Sequence, residues 1–350
     1  MLGLRWHGRC DVRLDALAVP APQPGECLIA VERAGICGTD LEEYELGPVA
    51  LGTEAARRDA TVPPIVLGHE VVGRVRECPD GSIPVGTRVV PDVVLGCGTC
   101  WWCARHQEAI CPAQRVRGLQ IDGGLAAFMV AEAATCVGVD EQVDLAVAAF
   151  AEPAAVAVRA IAKAGDLRGA TVLVLGAGVV GQLVLQVAQS RGAVRVLACD
   201  PVPSRRTLAA AFGAETCVPD DVVERTRSMT DGRGADVVVE CSGAPDAVPD
   251  AVHACRPGGT IVLVGFGPAP ASLPLLPVVL GERRLVGTAA HHWDDDVATA
   301  VTELTTGRLD PRPLLTAVVP LERAVADGFE RLRADRDTLK ILIDPTGAVS

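Results

Sequence analysis

Hydrophobic and polar positions follow two different rhythms along this chain, and the change falls near Glu152. Before it, apolar residues come in short Val- and Ile-rich runs: CLIAVE (27–32), EVVGRVREC (70–78) and TRVVPDVVL (87–95). Gly- and Pro-rich punctuation separates them, as in VPAPQPGE (19–26) and CPDGSIPVG (78–86). Short runs bounded by turn residues predict strands joined by irregular loops. The stretch 45–64 has weak periodicity and reads as a long loop or insertion. After Glu152, AAVAVRAIAKAG (154–165) has helical spacing, and strands then alternate with helices. TVLVLGAG, VRVLACD, ADVVVECSG and TIVLVGF are the predicted strands. VVGQLVLQVAQSRG, PSRRTLAAAFGA and APDAVPDAVHACRPGG are the helices, the last with a breaker. Such alternation with apolar strands predicts an α/β fold with a parallel sheet covered on both faces. The end of the chain carries two more helical patterns, VATAVTELTTG and LERAVADGFERLRA, and a short strand, TLKILIDP.

Composition narrows the possibilities. A chain of 350 residues with 49% apolar content has room for two domains with real cores, and 3% aromatic content means small aliphatic packing. A net charge of −12 opposes binding to nucleic acid or an anionic membrane. Arg5, His7, Arg9, Asp11 and Arg13 interrupt any would-be signal segment. Apolar runs stop well short of the roughly 18 residues of a membrane span. The expected location is the cytoplasm, where structural disulfides are rare.

Four cysteines crowd into GCGTCWWCARHQEAIC: Cys97, Cys100, Cys103 and Cys111. In a reducing compartment, C-x2-C-x2-C-x7-C reads as a closed tetrahedral zinc site that stabilises a lobe and does no chemistry. Gly96 and Gly98 let the chain curl around it.

A second motif, Gly176-x-Gly178-x-x-Gly181, follows an apolar strand and opens a helix. In that setting the glycines serve a tight turn, a close approach to pyrophosphate, and strand–helix packing. The helix N-terminus, with Val179 and Val180 at its start, then faces the phosphates. Asp200 ends the next strand, 19 residues beyond Gly181. A carboxylate there bonds an adenosine 2′-hydroxyl and repels a 2′-phosphate, so NAD is the expected cofactor. Arg205 and Arg206 follow closely and suit a phosphate instead. Asp200 also reads as a helix N-cap.

The cysteine lobe lies downstream of GICGTD (35–40) and GHE (68–70). Together, and in this order, these motifs resemble the zinc-dependent medium-chain alcohol dehydrogenases over nearly the whole chain. The resemblance implies a β-rich GroES-like catalytic domain at 1–153 and 298–350, with the structural zinc lobe at about 96–112, and a Rossmann domain at 154–297. It implies a second, catalytic zinc held by Cys37, His69 and Glu152, so two zinc ions per chain. Glu152 stands in an EP pair, as in the polyol and butanediol branch. Glu70 is implied as an alternate ligand beside His69. Thr39 would bond the substrate oxygen and start a proton relay. Relatives commonly continue with D-x-H, but this chain reads Asp40-Leu41-Glu42, so Glu42 replaces the relay histidine. Cys241, Gly243 and Gly265 would lie beside the nicotinamide, and Lys340 near the cleft or solvated. His291 and His292 form no usable zinc spacing and read as surface or interface.

The implied activity is NAD-linked oxidation of a secondary alcohol with a neighbouring oxygen or nitrogen, or its reverse. An aminocyclitol or sugar intermediate is the alternative substrate. A zinc-free enone reductase and a non-enzymatic zinc scaffold are the alternatives from other classes. The partner is a small alcohol or ketone, and the assembly a homodimer or homotetramer.

Overall fold

The computed structural model describes residues 1–49, 64–267 and 269–346. Most of the expected insertion at 45–64, from residue 50 to 63, therefore lies outside the described residues. The chain divides into two compact units, Met1–Ala155 with His291–Ser350, and Val156–Ala290. No helix among the described residues is long and apolar enough to cross a membrane.

The first unit is built on antiparallel strands. Glu26–Gly35 is its central strand, pairing with Glu70–Glu77, with Phe128–Glu132, and with the chain's last strand, Lys340–Asp344. Arg88–Pro91 and Cys136–Gly138 extend one edge, and Leu315–Pro320 the other. One face buries Ile29, Val31, Val71, Val75, Met129, Ile341 and Ile343 in a continuous core with Leu4, Trp6 and Phe329. The alternation read in EVVGRVREC becomes one strand, whereas TRVVPDVVL becomes two, Arg88–Pro91 and Val94–Leu95. A proline cannot donate to a ladder, and Pro91 ends the first of them.

The pattern LERAVADGFERLRA does not make one continuous α-helix. It runs as a 3-10 turn at Leu321–Arg323, a π-helical stretch at Ala324–Phe329, and an α-helical turn at Glu330–Ala334. Gly328 sits at the tight point, because a Cβ there would come within 2.7 Å of Ile36 Cδ1.

The second unit carries six parallel strands. Their order is Glu215–Cys217, Arg195–Cys199, Thr171–Leu175, Ala235–Glu240, Cys255–Leu263, Arg284–Gly287. In chain sequence this is 3-2-1-4-5-6, the doubly wound order, and the direction reverses between Thr171–Leu175 and Ala235–Glu240. Helices Val179–Ser190, Pro203–Ala211, Val222–Ser228 and Ala247–Ala254 connect the strands. Pro249 lies in the first turn of the last of these, where a missing N–H costs nothing, so the breaker expected there does not break the helix. The short strands Glu215–Cys217 and Arg284–Gly287 complete the sheet's edges; neither is apolar enough to stand out in the sequence.

Candidate metal and cofactor sites

The four lobe cysteines converge, with all their sulfurs within 4.8 Å of one another. Cys100 Sγ lies 3.5 Å from Cys103 and 3.7 Å from Cys111, and Cys97 lies 4.0 Å from Cys103. A tetrahedral zinc with bonds of about 2.3 Å needs sulfurs about 3.8 Å apart. The lobe fits zinc on that test. Donors from Thr99 and Cys100, backbone first, hold the Cys97 thiol down to about 6, which favours the thiolate a metal requires.

The second set of candidates gathers in the same unit. Cys37 is the N-cap of helix Gly38–Leu46, and its backbone N–H donates to Asp40 Oδ2 at 2.9 Å. Asp40 is fully buried; its Oδ1 accepts from the Gly68 amide at 3.3 Å and lies 3.6 Å from His69 Nδ1. Gly68 has φ +94°, and a Cβ there would come within 2.6 Å of Leu125, so only glycine makes the turn that sets His69. Burial works against a charged His69, but Asp40, Cys37 and Glu152 outweigh it and raise its pKa. Thr39 Oγ1 lies 3.8 Å from Cys37 Sγ. Glu42, on the same helix, is half-buried, and burial followed by Glu43 raises its carboxyl.

Glu152 is buried near the start of helix Ala151–Ala164. Burial pushes its carboxyl up, but His291, His69 and Lys340 reverse this and leave it lowered. Its Oε1 lies 3.1 Å from His291 Nε2. Among the described residues, only the four lobe cysteines bring all their ligand atoms within 4.8 Å of one another; Cys37, His69 and Glu152 form a looser set. Its donors, one thiol, one imidazole and one carboxylate, are nevertheless the borderline-soft, three-ligand set that a catalytic zinc takes. His69 Nδ1 is a buried polar atom without a hydrogen-bond partner, turned toward Asp40. That is the outer contact a metal-bound imidazole uses to fix its ring.

Two expectations are corrected here. Lys340 is not solvated: it is 3% exposed, and its ammonium contacts both oxygens of Glu70. His291 and His292 are not on the surface; both are buried. His291 Nδ1 lies 3.4 Å from Asp92 Oδ1, an ion-pair distance without an aligned hydrogen bond. Burial disfavours its charged form, but Asp92 and Glu152 prevail and push it up to about 10. Asp92 and His291 had no motif to mark them. The only available signal was the charge of Asp92 in the apolar run VVPDVVL; His291, in TAAHHWDDD, had none.

In the second unit, Gly176 has φ +88°, and a Cβ on Gly181 would come within 1.9 Å of the Gly176 carbonyl oxygen. A Cβ on Gly178 would meet nothing within 4 Å. Gly178 is the N-cap of helix Val179–Ser190, and no side chain caps the amides that follow. The first and third glycines thus serve the chain's own turn and packing, while the second leaves open space at a helix N-terminus, the place for a phosphate. Both Asp200 oxygens accept backbone amides, from Ala177 and Val202, each at 2.8 Å. Asp200 is not the N-cap of the following helix; Val202 is. Arg205 Nη1 lies 3.9 Å from Asp200. Gly243 and Gly265 lie where two loops touch backbone to backbone: their Cβ atoms would come within 2.5 Å of Phe266 O and 2.3 Å of Gly243 N. Burial raises the neighbouring Cys241 thiol.

Comparison with known proteins gives the family. Residues 23–141 match the alcohol dehydrogenase GroES-like domain, and residues 179–306 match the zinc-binding dehydrogenase domain. L-threonine 3-dehydrogenase of Pyrococcus abyssi is 33% identical over 91% of each chain. L-idonate 5-dehydrogenase (NAD(P)(+)) of Escherichia coli is 32% identical over 88% of this chain and 89% of that one. The crystal structure of 2R,3R-butanediol dehydrogenase from Bacillus subtilis superposes with a TM-score of 0.89, at 27% identity, over 98% of this chain and 99% of that one. With both domain models and long, collinear relatives in agreement, the chain belongs to the zinc-dependent medium-chain alcohol dehydrogenases, oxidoreductases that work with zinc and a nicotinamide cofactor.

Proposed function

We propose that this chain oxidises a secondary alcohol bearing oxygen or nitrogen on the adjacent carbon, or reduces the matching ketone, with NAD as hydride acceptor. The observation that carries the reading is the grouping of half-buried Cys37 with buried His69 and Glu152, a thiol, an imidazole and a carboxylate drawn from three distant segments. These residues would hold the catalytic zinc, and the four lobe cysteines a structural one. When bound, zinc polarises the alcohol oxygen and NAD takes the hydride.

The chain's own residues do the rest. Thr39, beside Cys37, holds the substrate hydroxyl and receives its proton. Glu42 is the acceptor beyond it, and its raised carboxyl makes it a better proton carrier near neutrality than an exposed carboxylate. Val179, Val180 and Gly181 offer helix N-terminal amides to the pyrophosphate. Asp200 already accepts two amides, yet a carboxylate has about four acceptor sites, so it retains capacity for a ribose hydroxyl. The adjacent-heteroatom preference draws on the relatives: threonine, idonate and butanediol each carry a secondary hydroxyl next to a carbon bearing nitrogen or oxygen. We assign Met1–Ala155 with His291–Ser350 to catalysis and Val156–Ala290 to cofactor binding, boundaries a few residues from the expected 1–153 with 298–350 and 154–297. The chain would act in the cytoplasm as a homo-oligomer. Exposed Leu275, Leu276, Val279 and Leu280 offer an apolar surface that suits assembly.

The test is nicotinamide reduction by zinc-loaded protein, with NAD and NADP in parallel, over vicinal diols, polyols, amino alcohols including threonine, aminocyclitols and simple alcohols. Turnover of the heteroatom-bearing group with NAD is expected. Turnover of simple primary alcohols alone would overturn the substrate class, and turnover with NADP alone would overturn the role of Asp200.

A further inference from the structure

The Glu152 carboxylate does not stand alone in its pocket. His291 Nε2 lies 3.1 Å from Oε1, across 139 residues of sequence but within the same unit. On the other side of the ring, Nδ1 faces Asp92 Oδ1 at 3.4 Å. Asp92 is itself fixed, because its Oδ1 accepts the Val94 amide at 2.8 Å. All three side chains are buried, and His291 is 1% exposed. Carboxylate, imidazole and carboxylate therefore stand in a row that ends on the expected metal ligand.

Such a row has a physical consequence. A carboxylate ligand has two equivalent oxygens and a soft terminal torsion. A buried ring that occupies one oxygen sets the plane of the group and leaves the other oxygen for a metal. Outer partners of this kind govern how tightly a metal is held and how its ligands are oriented. We propose that His291, anchored by Asp92, is a positioning residue that holds Glu152 through Oε1 and presents Oε2 to the catalytic zinc. The inference rests on the assignment of Glu152 as a zinc ligand made above. His291 and Asp92 also border a cavity of about 230 Å³, together with His292, Glu108 and Glu132. That space lets shorter or reshaped side chains replace the ring without overpacking.

The test loads the full chain with zinc and, separately, with cobalt(II) as a visible reporter of ligand geometry, and compares wild type with His291→Asn and His291→Gln. Gln places an amide nitrogen near the position of Nε2; Asn is too short and keeps only the Asp92 side. His291→Asn should weaken the metal outside the cysteine lobe by about 10- to 100-fold in chelator competition. It should also shift the cobalt absorption bands. His291→Gln should restore most of both, and the lobe metal should not change in either. Equal affinities and spectra for wild type and His291→Asn would overturn the positioning role, and so would a Gln variant that behaves like Asn. A wild-type chain that takes up only the lobe metal would overturn the Glu152 assignment itself, a result visible before any variant is made.

Discussion

Lys340 places its ammonium 2.6 Å from each carboxylate oxygen of Glu70, in a pair with almost no exposure to solvent. Sheet register explains the meeting. Glu70 lies opposite Gly35 on one side of the central strand, and Leu342 lies opposite Gly35 on the other. Two residues before Leu342 on the same strand, Lys340 shares its face. The third contact of the ammonium is the Ile36 carbonyl at 3.0 Å. Burial alone would lower the Lys340 pKa, but Glu70 overrides it and holds the ammonium charged.

Removing one partner strands a buried charge, which typically costs about 3–5 kcal/mol. Lys340→Met should therefore destabilise the protein by about that much in denaturant unfolding. The double change Lys340→Met with Glu70→Gln should recover most of the loss, since well-packed neutral replacements of a buried pair are often near neutral. A single variant as stable as wild type would mean that the pair contributes nothing.

Gly35 is what lets the pair form. A Cβ there would lie 1.8 Å from Glu70 Oε2, so the carboxylate crosses the strand through the space that a side chain would fill. Gly35→Ala has to push aside a carboxylate pinned by Lys340, at an overpacking cost of about 1–3 kcal/mol. The same change in a Glu70→Ala background should cost clearly less. A double-mutant cycle reads this coupling directly, and additive effects would contradict it.

These long-range relationships mark the limit of what the sequence discloses. Spacing within one loop makes the cysteine lobe legible, because its four ligands come from 15 consecutive residues (97–111). The glycine motif is legible for the same reason, since strand, turn and helix are contiguous. Lys340 and Glu70 stand 270 residues apart and meet only through register at Gly35. His291 and Glu152 meet only after the chain returns to its first unit. Neither pair has a local pattern, and a charged residue in an apolar strand reads equally well as a solvated edge. Gly243 and Gly265 show the converse: the sequence marks them, but the backbone contact between their loops already requires glycine.

The cysteine lobe makes a separate prediction about metal content. Cys100 Sγ lies near both Cys103 and Cys111. Cys100→Ser replaces a thiolate by a poor zinc ligand in a closed four-ligand site. Zinc per chain should fall by one, and the unfolding midpoint should drop as metal binding no longer supports the folded lobe. Metal analysis and thermal unfolding of the same preparation test this. Unchanged zinc content would show that the lobe does not depend on its fourth sulfur.

The chain has a single tyrosine, Tyr44, which makes one titration directly readable. Its hydroxyl donates to Glu330 Oε1 at 2.5 Å, and its ring packs 5.4 Å from that of Phe329. Burial and then the Glu330 carboxylate push its pKa up to about 12. An unfolded tyrosine titrates near about 10. Because the folded value is the higher one, the stability contributed by the protonated phenol is complete below about pH 10 and is lost as pH rises toward about 12. Ultraviolet absorbance of the phenolate should therefore show a midpoint well above that of free tyrosine, until alkaline unfolding releases it. Tyr44→Phe should abolish the signal and flatten this part of the stability profile. A midpoint near about 10 in the folded protein would mean that the contact with Glu330 does not hold the proton.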